Sequence, residues 1–221
     1  MQHPFSVIPT VLAAIEATIS AARLERYMPI SGDRQLALRT YTWNARLCEQ
    51  FILPVQLAEI CVRNALNRAL VSKFGVNWFS NASLFSPLPD RLKNEISQAV
   101  KSERNQHGDA FSVNHMVSAL SFGFWVHLTT KSAIRLIWGG KLPALFAHLP
   151  GGTADQQVFE KIDQLRKFRN RLAHHNAIFD KRPAAEYRNI QDIIGWACPD
   201  TLWFMRQLVN PAAIINQRPT F

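Results

Sequence analysis

The sequence predicts an all-α protein, folded as one domain over residues 1–221. Three observations predict it. Apolar residues recur at three- and four-residue spacing along almost the whole chain, and alternating apolar and polar runs bounded by turn residues are nearly absent. The hydrophobic content, 48% of 221 residues, is enough for one large core without disulfide or metal staples.

The elements follow in order. Ile8, Val11, Leu12, Ile15 and Ile19 share one face of a first helix over about 8–27. It ends before Met28-Pro29, because proline disfavours helix in the residue it follows. Ser31-Gly32-Asp33 starts a second element, whose positions Leu36, Leu38, Tyr41, Ala45, Cys48 and Ile52 lead to Pro54. Proline has no N–H to donate and its ring crowds the preceding turn, so a break or kink is expected there. A further helix then runs from about 55 to 74, closed by Gly75, and the pair is expected to form the long antiparallel heart of a bundle.

Residues 86–90, Ser-Pro-Leu-Pro-Asp, open a helix near 88–105, and His107-Gly108-Asp109 punctuates it. Residues 110–130 hold no Asp, Glu, Lys or Arg and have spanning length. Yet Ser112, Asn114, His115, Ser118, Ser121, His127, Thr129 and Thr130 are too polar for lipid, so a buried core helix from about 112 is expected. Gly139-Gly140 and Pro150-Gly151-Gly152 are loops. Thr153 is expected to cap the next helix, with Asp155 favourable in its first turn. Pro183 begins a helix through Ile190, Ile193 and Ile194, and Pro199 begins a last one carrying Trp203, Phe204 and Leu208.

The formal charge of +9 attracts polyanions by counterion release and steering, which makes nucleic acid the leading partner class. Cys48, Cys61 and Cys198 lie far apart with no C-x-x-C spacing, and read as buried thiols of a reducing compartment. The amino-terminal stretch has no basic region ahead of its apolar run and carries Glu16 within it, which argues against a cleaved signal. A cytoplasmic protein with no membrane partner is expected.

The helix opening near Thr153 ends in an unusual run, KFRNRLAHHNAIFD (167–180). Val158, Ile162, Leu165 and Leu172 define a buried stripe, and Arg169 projects within about 20° of its starting direction. A permanent charge is costly there unless paired or bound to an anion. Either Arg169 snorkels to a carboxylate or helix end, or it holds an anionic ligand. Asn170 and His174, four apart, share a face, whereas Arg169 and His174 differ by about 140° on a regular helix. So either the helix ends before His174, or Arg and His from two copies meet across a two-fold axis.

Lys161, Arg166, Lys167, Arg171, Lys181, Arg182 and Arg188 make this the densest basic region of the chain. RNA suits it, offering phosphates to the cations and a 2′-hydroxyl able to attack the adjacent phosphate. Histidine transfers such a proton near neutral pH, and arginine holds the phosphate and stabilises developing charge, without metal or cofactor. His174 and His175 point about 100° apart and do not chelate one ion, and H-E-x-x-H, G-x-S-x-G and P-loop motifs are missing.

Arg169-Asn170-Arg171-Leu172-Ala173-His174 resembles the R-x-x-x-x-H signature of the HEPN ribonucleases. LALRTYTWNARL (36–47), LAEICVRNALN (57–67) and LSFGFWVHL (120–128) look like the corresponding segments, in the same order, of the Abi-like proteins, the AbiD/AbiF abortive-infection group. RNRLAHHNAIFD looks like that group's Arg-Asn and Ala-His-His motif, and the similarity covers roughly 20–205. Leu172 stands where the family often has a small residue or Cys, and Asn176-Ala177 where a basic residue commonly follows.

The resemblance implies an HEPN-type helical bundle with additional helices, usually dimeric. Its paired motifs form a metal-independent, cofactor-free endoribonuclease site used in phage defence or as a toxin; whether an antitoxin or a noncoding RNA restrains it is left open by the sequence. It makes Arg169 and His174 the catalytic pair and Asn170 the residue that orients the site. Arg166, Lys167, Arg171 and His175 become RNA contacts or helix-end charges. Glu59 and Arg63 have the favourable spacing of an intrahelical ion pair, and with Asn64 they either hold the bundle together or support the site. Trp43-Asn44 and Trp125 are expected to pack. Two other readings compete: an RNA-binding or protein-interaction module that does not cleave, and a basic helical protein with a snorkelling Arg169 and a solvated His174.

Overall fold

The spine of the molecule is one helix of 41 residues, α3 (Arg34–Phe74), roughly 60 Å long. Asp33 caps it by accepting a hydrogen bond from the Leu36 N–H at 3.0 Å, and Gly75 ends it in the left-handed region at φ 84°. The computed structural model describes residues 7–219, and among them it holds twelve α-helices and no strand, so the all-α expectation holds.

The break expected at Pro54 as one of two outcomes does not occur, and the anticipated antiparallel pair is a single continuous helix. A proline inside a helix costs about 3 kcal/mol. Here Phe51, Pro54, Val55 and Ala58 all face the core. Burying each large apolar side chain returns about 1.5–3 kcal/mol, so packing along this face outweighs the local defect.

Against that face lie α9 (Asp155–Ala173) and α10 (Pro183–Ala197), with α11 (Pro199–Leu208) and α12 (Pro211–Ile215) completing the layer. The predicted stripe of α9 is buried at Val158, Ile162 and Leu165, and the Phe168 ring meets Phe51 edge-on at 5.0 Å. Ile190, Ile193 and Ile194 of α10 are fully buried. The chain therefore has a helix after α11, and Trp203, Phe204 and Leu208 lie on the exposed side of α11.

Around the other end of α3 pack α4 (Ala82–Phe85), α5 (Asp90–His107), α6 (Val113–Ala119), α7 (Phe122–His127) and α8 (Lys131–Leu136). The uncharged segment is buried as expected but is not one helix. Leu120 is extended, and the Ser121 hydroxyl caps α7 by accepting from the Phe124 N–H at 3.2 Å. Thr130 caps α8 in the same way through Ala133. The hydroxyls that made the segment too polar for lipid are thus its helix starts. No described helix is long and apolar enough to cross a membrane.

Two boundaries differ from expectation for similar reasons. The first helix divides at Ser20, φ 81°, into α1 (Pro9–Ile19) and α2 (Ala21–Glu25), with the Ser20 hydroxyl accepting from Arg23 N–H. Leu12 is buried there together with Glu16, whose carboxylate accepts from Arg34 Nε at 2.6 Å, whereas Ile8 and Val11 are exposed. Thr153 is no cap. Its hydroxyl donates to the Pro150 carbonyl at 2.7 Å, and the Gln157 side chain instead accepts from Ala154 N–H at 2.9 Å. Asp155, in the first turn of α9, accepts from Leu142 N–H at 2.9 Å and ties down the preceding loop.

His127, at the end of α7, has its pKa pushed below the ordinary value by burial and then by the nearby Arg91 charge. The folded state therefore binds fewer protons than the unfolded chain near the ordinary histidine pKa. This contribution is complete above about pH 6.5 and is lost as pH falls below it. The loss of Tm between about pH 7.5 and about pH 5.5, followed by circular dichroism, should be smaller in His127→Gln than in the wild type.

Candidate functional site

The end of α9 is made without glycine. His174 is the flanking residue at φ −94°, and His175 enters the left-handed region at φ 54°. His175 N–H donates to Leu172 O at 3.1 Å and Asn176 N–H to Arg171 O at 2.9 Å, the paired bonds of a Schellman end. The helix does end before His174, one of the two geometries open from the sequence, but that end leaves His174 off the wall that Arg169 lines. Histidine is among the few non-glycine residues enriched at positive φ.

The chain beyond is held from several sides. Arg171 donates to the Ala177 carbonyl from Nε and Nη2, at 3.2 and 2.8 Å. Asn44, buried in α3, accepts from Ile178 N–H at 2.9 Å and Phe179 N–H at 3.2 Å, and donates to Tyr27 Oη at 3.3 Å. Arg23 donates to the His175 carbonyl at 3.2 Å, and Arg26 pairs with Asp180 at 2.6 Å. Asn44 therefore does more than pack. Its signal in the sequence is a polar residue inside the buried spacing of Thr40, Leu47 and Phe51.

On the preceding turn Arg169 Nε donates to Glu59 Oε2 at 3.0 Å. The other oxygen, Oε1, accepts from Arg63 Nε at 3.0 Å and Nη2 at 2.6 Å. Arg63 Nη1 in turn donates to the carbonyls of Val117 and Leu120 at the end of α6, at 2.8 and 2.5 Å. The side chains of Glu59 and Arg63 are 12% and 13% exposed, that of Arg169 39%. Glu59 is the carboxylate that a snorkelling Arg169 calls for, but it is already shared. Two guanidiniums on one carboxylate leave a net positive charge. The Nε contact also leaves four N–H donors on the Nη edge of Arg169.

Arg169 lines a groove of ≈ 600 Å³ between α3 and the end of α9, with Ile52, Val55, Gln56 and Ile60 on one side and Leu172 on the other. His175, not His174, is on its wall. So the fold gathers Glu59, Arg63, Arg169 and His175 around one space. His174 is exposed at the helix end, and Asn170 is half-buried on α9 off that wall. Asn64 lies on the exposed side of α3.

Arg166 and Lys167 both pair with Asp163, each at 2.7 Å. Burial pushes the Asp163 carboxyl up, but hydrogen bonds from Lys167 and Arg166 outweigh it and hold the pKa below the ordinary range. Among the described residues no three His, Cys, Asp or Glu side chains are grouped to hold a metal ion. The three cysteines are free and half-buried rather than buried. Burial pushes the Cys48 thiol up to about 11, while Thr201 hydrogen bonds pull Cys198 down.

The family profile of the Abi-like proteins matches residues 20–180. The chain belongs to the Abi-like family. The matched span runs from the break at Ser20 to Asp180, and so contains every residue of the groove and of the clamp on the loop. Membership supports a role for this Abi-like protein in abortive infection, a form of phage defence. No curated protein and no solved structure matches the chain.

Asn44→Ala removes the acceptor from two N–H groups that hold the Abi-like motif loop. It should cost about 2–4 kcal/mol in urea unfolding, with a lower midpoint and unchanged slope. Asn64→Ala, on the exposed side of the same helix, should stay within about 0.5 kcal/mol of wild type.

Proposed function

We propose that this protein is a metal-independent endoribonuclease of HEPN type, acting in phage defence or as a toxin. The observation that carries the reading is the unneutralised guanidinium edge of Arg169, in a groove that begins where the His174-His175 pair ends the helix.

The chemistry follows from those groups. The Nη edge of Arg169 holds the non-bridging oxygens of a phosphate, while Glu59 and Arg63 fix the plane of that guanidinium from behind. A neutral imidazole takes the proton of the neighbouring 2′-hydroxyl as its oxygen attacks phosphorus. Arg169 stabilises the added charge at the five-coordinate phosphorus. A protonated imidazole then delivers a proton to the departing 5′-oxygen, leaving a 2′,3′-cyclic phosphate and a 5′-hydroxyl. No cofactor takes part.

His174 is assigned the proton transfer and Asn170, on the same face, its orientation. Because His174 stands off the groove of its own chain, the reading includes a homodimer. Pairing two α9 ends across a two-fold axis presents His174 of each copy to the Arg169 groove of the other. His175 and the basic residues Arg166, Lys167 and Arg171 contribute RNA contacts and long-range attraction. An antitoxin or noncoding RNA is the restraining partner of this reading, and the cytoplasm its place. The position of His174 off the groove also favours a second reading, an RNA-binding module that does not cleave.

The test is incubation of purified protein in EDTA with end-labelled total RNA and a tRNA pool. Cleavage should leave 2′,3′-cyclic ends. Arg169→Ala should lower the rate about 10²–10³-fold and His174→Ala about 10²–10⁴-fold, with Glu59→Gln milder than Arg169→Ala. Binding of RNA by the folded wild type with no cleavage decides for the second reading. Mixing the Arg169→Ala and His174→Ala chains should restore about a quarter of wild-type activity, since half the dimers are mixed and each mixed dimer keeps one composite site. Action within one chain restores none.

A further inference from the structure

We propose that the groove beside Arg169 is a pocket for one unpaired nucleotide, with its phosphate at Arg169, its base against the aliphatic wall and Gln56 reading the base edge. The inference rests on the RNA reading above and specifies what part of an RNA the site accepts.

Two rows of α3 at four-residue spacing border the groove, an inner, mostly buried row and an outer, exposed one. The inner row, Val55, Glu59 and Arg63, carries the shared carboxylate. The outer row is Ile52, Gln56 and Ile60. Both isoleucines are exposed, at 57% and 43%, and both line the groove. Leu172 of α9 stands on the opposite side. One end of the space therefore needs an anion, and the rest needs a flat apolar surface.

A nucleotide has both parts joined at that scale, and ≈ 600 Å³ falls within the range of small-molecule pockets. In an A-form duplex the base faces are covered by their neighbours, so only the phosphate of a paired nucleotide reaches the Arg169 end. An unpaired base turned out of its strand fills the aliphatic part as well. The wall is aliphatic, so it gains affinity by burying any base face and gives it without choice. Choice comes from Gln56, set between the two isoleucines and carrying an amide with one acceptor and two donors. On the Hoogsteen edge adenine alone meets such an amide with two hydrogen bonds, through N6–H and N7, so the pocket as proposed turns that edge of an adenine to Gln56.

The test uses fluorescence anisotropy at one fixed low salt concentration. The probes are 2′-fluoro oligonucleotides, which lack the attacking hydroxyl: four single strands differing at one position, and a fully paired 2′-fluoro duplex. The single strand with adenine should bind at least about tenfold more tightly than the duplex, from burial of one base face against the aliphatic wall. Gln56→Ala should remove the preference for adenine, about tenfold, and leave the duplex unchanged. Ile52→Ser with Ile60→Ser, at exposed positions that leave the core intact, should weaken all single strands and spare the duplex.

Equal binding of strands and duplex that neither variant alters overturns the pocket, while salt-sensitive binding to both leaves the RNA reading standing. Conversion of a dimer to monomers by the isoleucine variants, with affinity per chain unchanged, makes a second copy the occupant and also overturns it. Base-selective binding by a wild type that never cleaves upholds the pocket and removes the ribonuclease reading.

Discussion

The continuity of α3 through Pro54 is the constraint on which the rest depends. Asn44 holds the chain after the histidines, and Glu59 holds the arginine before them. The two lie on one rigid helix, roughly 22 Å apart along its axis. A hinge at Pro54 would let the loop and Arg169 move independently. Because the buried face of α3 runs unbroken across that proline, the spacing between loop anchor and arginine anchor is set by the rise of one continuous helix.

The same helix settles the charge of the site. A buried carboxylate with a single arginine partner makes a neutral, inert strut. Glu59 has two, and the one that is more buried, Arg63, also has two carbonyl acceptors on α6. That leaves Arg169 as the member whose charge is satisfied on one edge only. Arg166 and Lys167 share a single carboxylate too, but Lys167 is exposed on the outside of α9. Charges there attract a polyanion from a distance. Arg169 sits beside an apolar wall, where a charge is screened less than on the open surface.

Much of this was legible, and the gaps have physical causes. The stripe of α9 follows undisturbed helical periodicity, and Arg169 stands out because it breaks that pattern. Glu59 and Arg63 are visible as an i, i+4 pair, but the third member lies 110 residues away and no local rule reaches it. The end of α9 was hidden because histidine, not glycine, takes the left-handed position. Pro54 misled because its cost is local and visible whereas the compensating burial is tertiary. The uncharged segment misled in the opposite way: its serines and threonines look like flaws in a long core helix and are starts of short ones.

His175 at φ 54° carries conformational strain of order 1 kcal/mol or more, and such a residue persists only where its surroundings over-determine it. Here they do. Two Schellman bonds act on the backbone from α9, Arg23 holds its carbonyl, and Asn44, Arg171 and Arg26 fix the four residues from Ala177 to Asp180. These anchors come from α2, the turn after it, α3 and α9, so the histidine pair is placed by segments distant in sequence. A loop tied this way has already lost its conformational entropy on folding. An anion entering the groove would meet an arginine held by Glu59 beside a backbone already ordered at His175, and its binding energy would not be consumed in ordering that backbone.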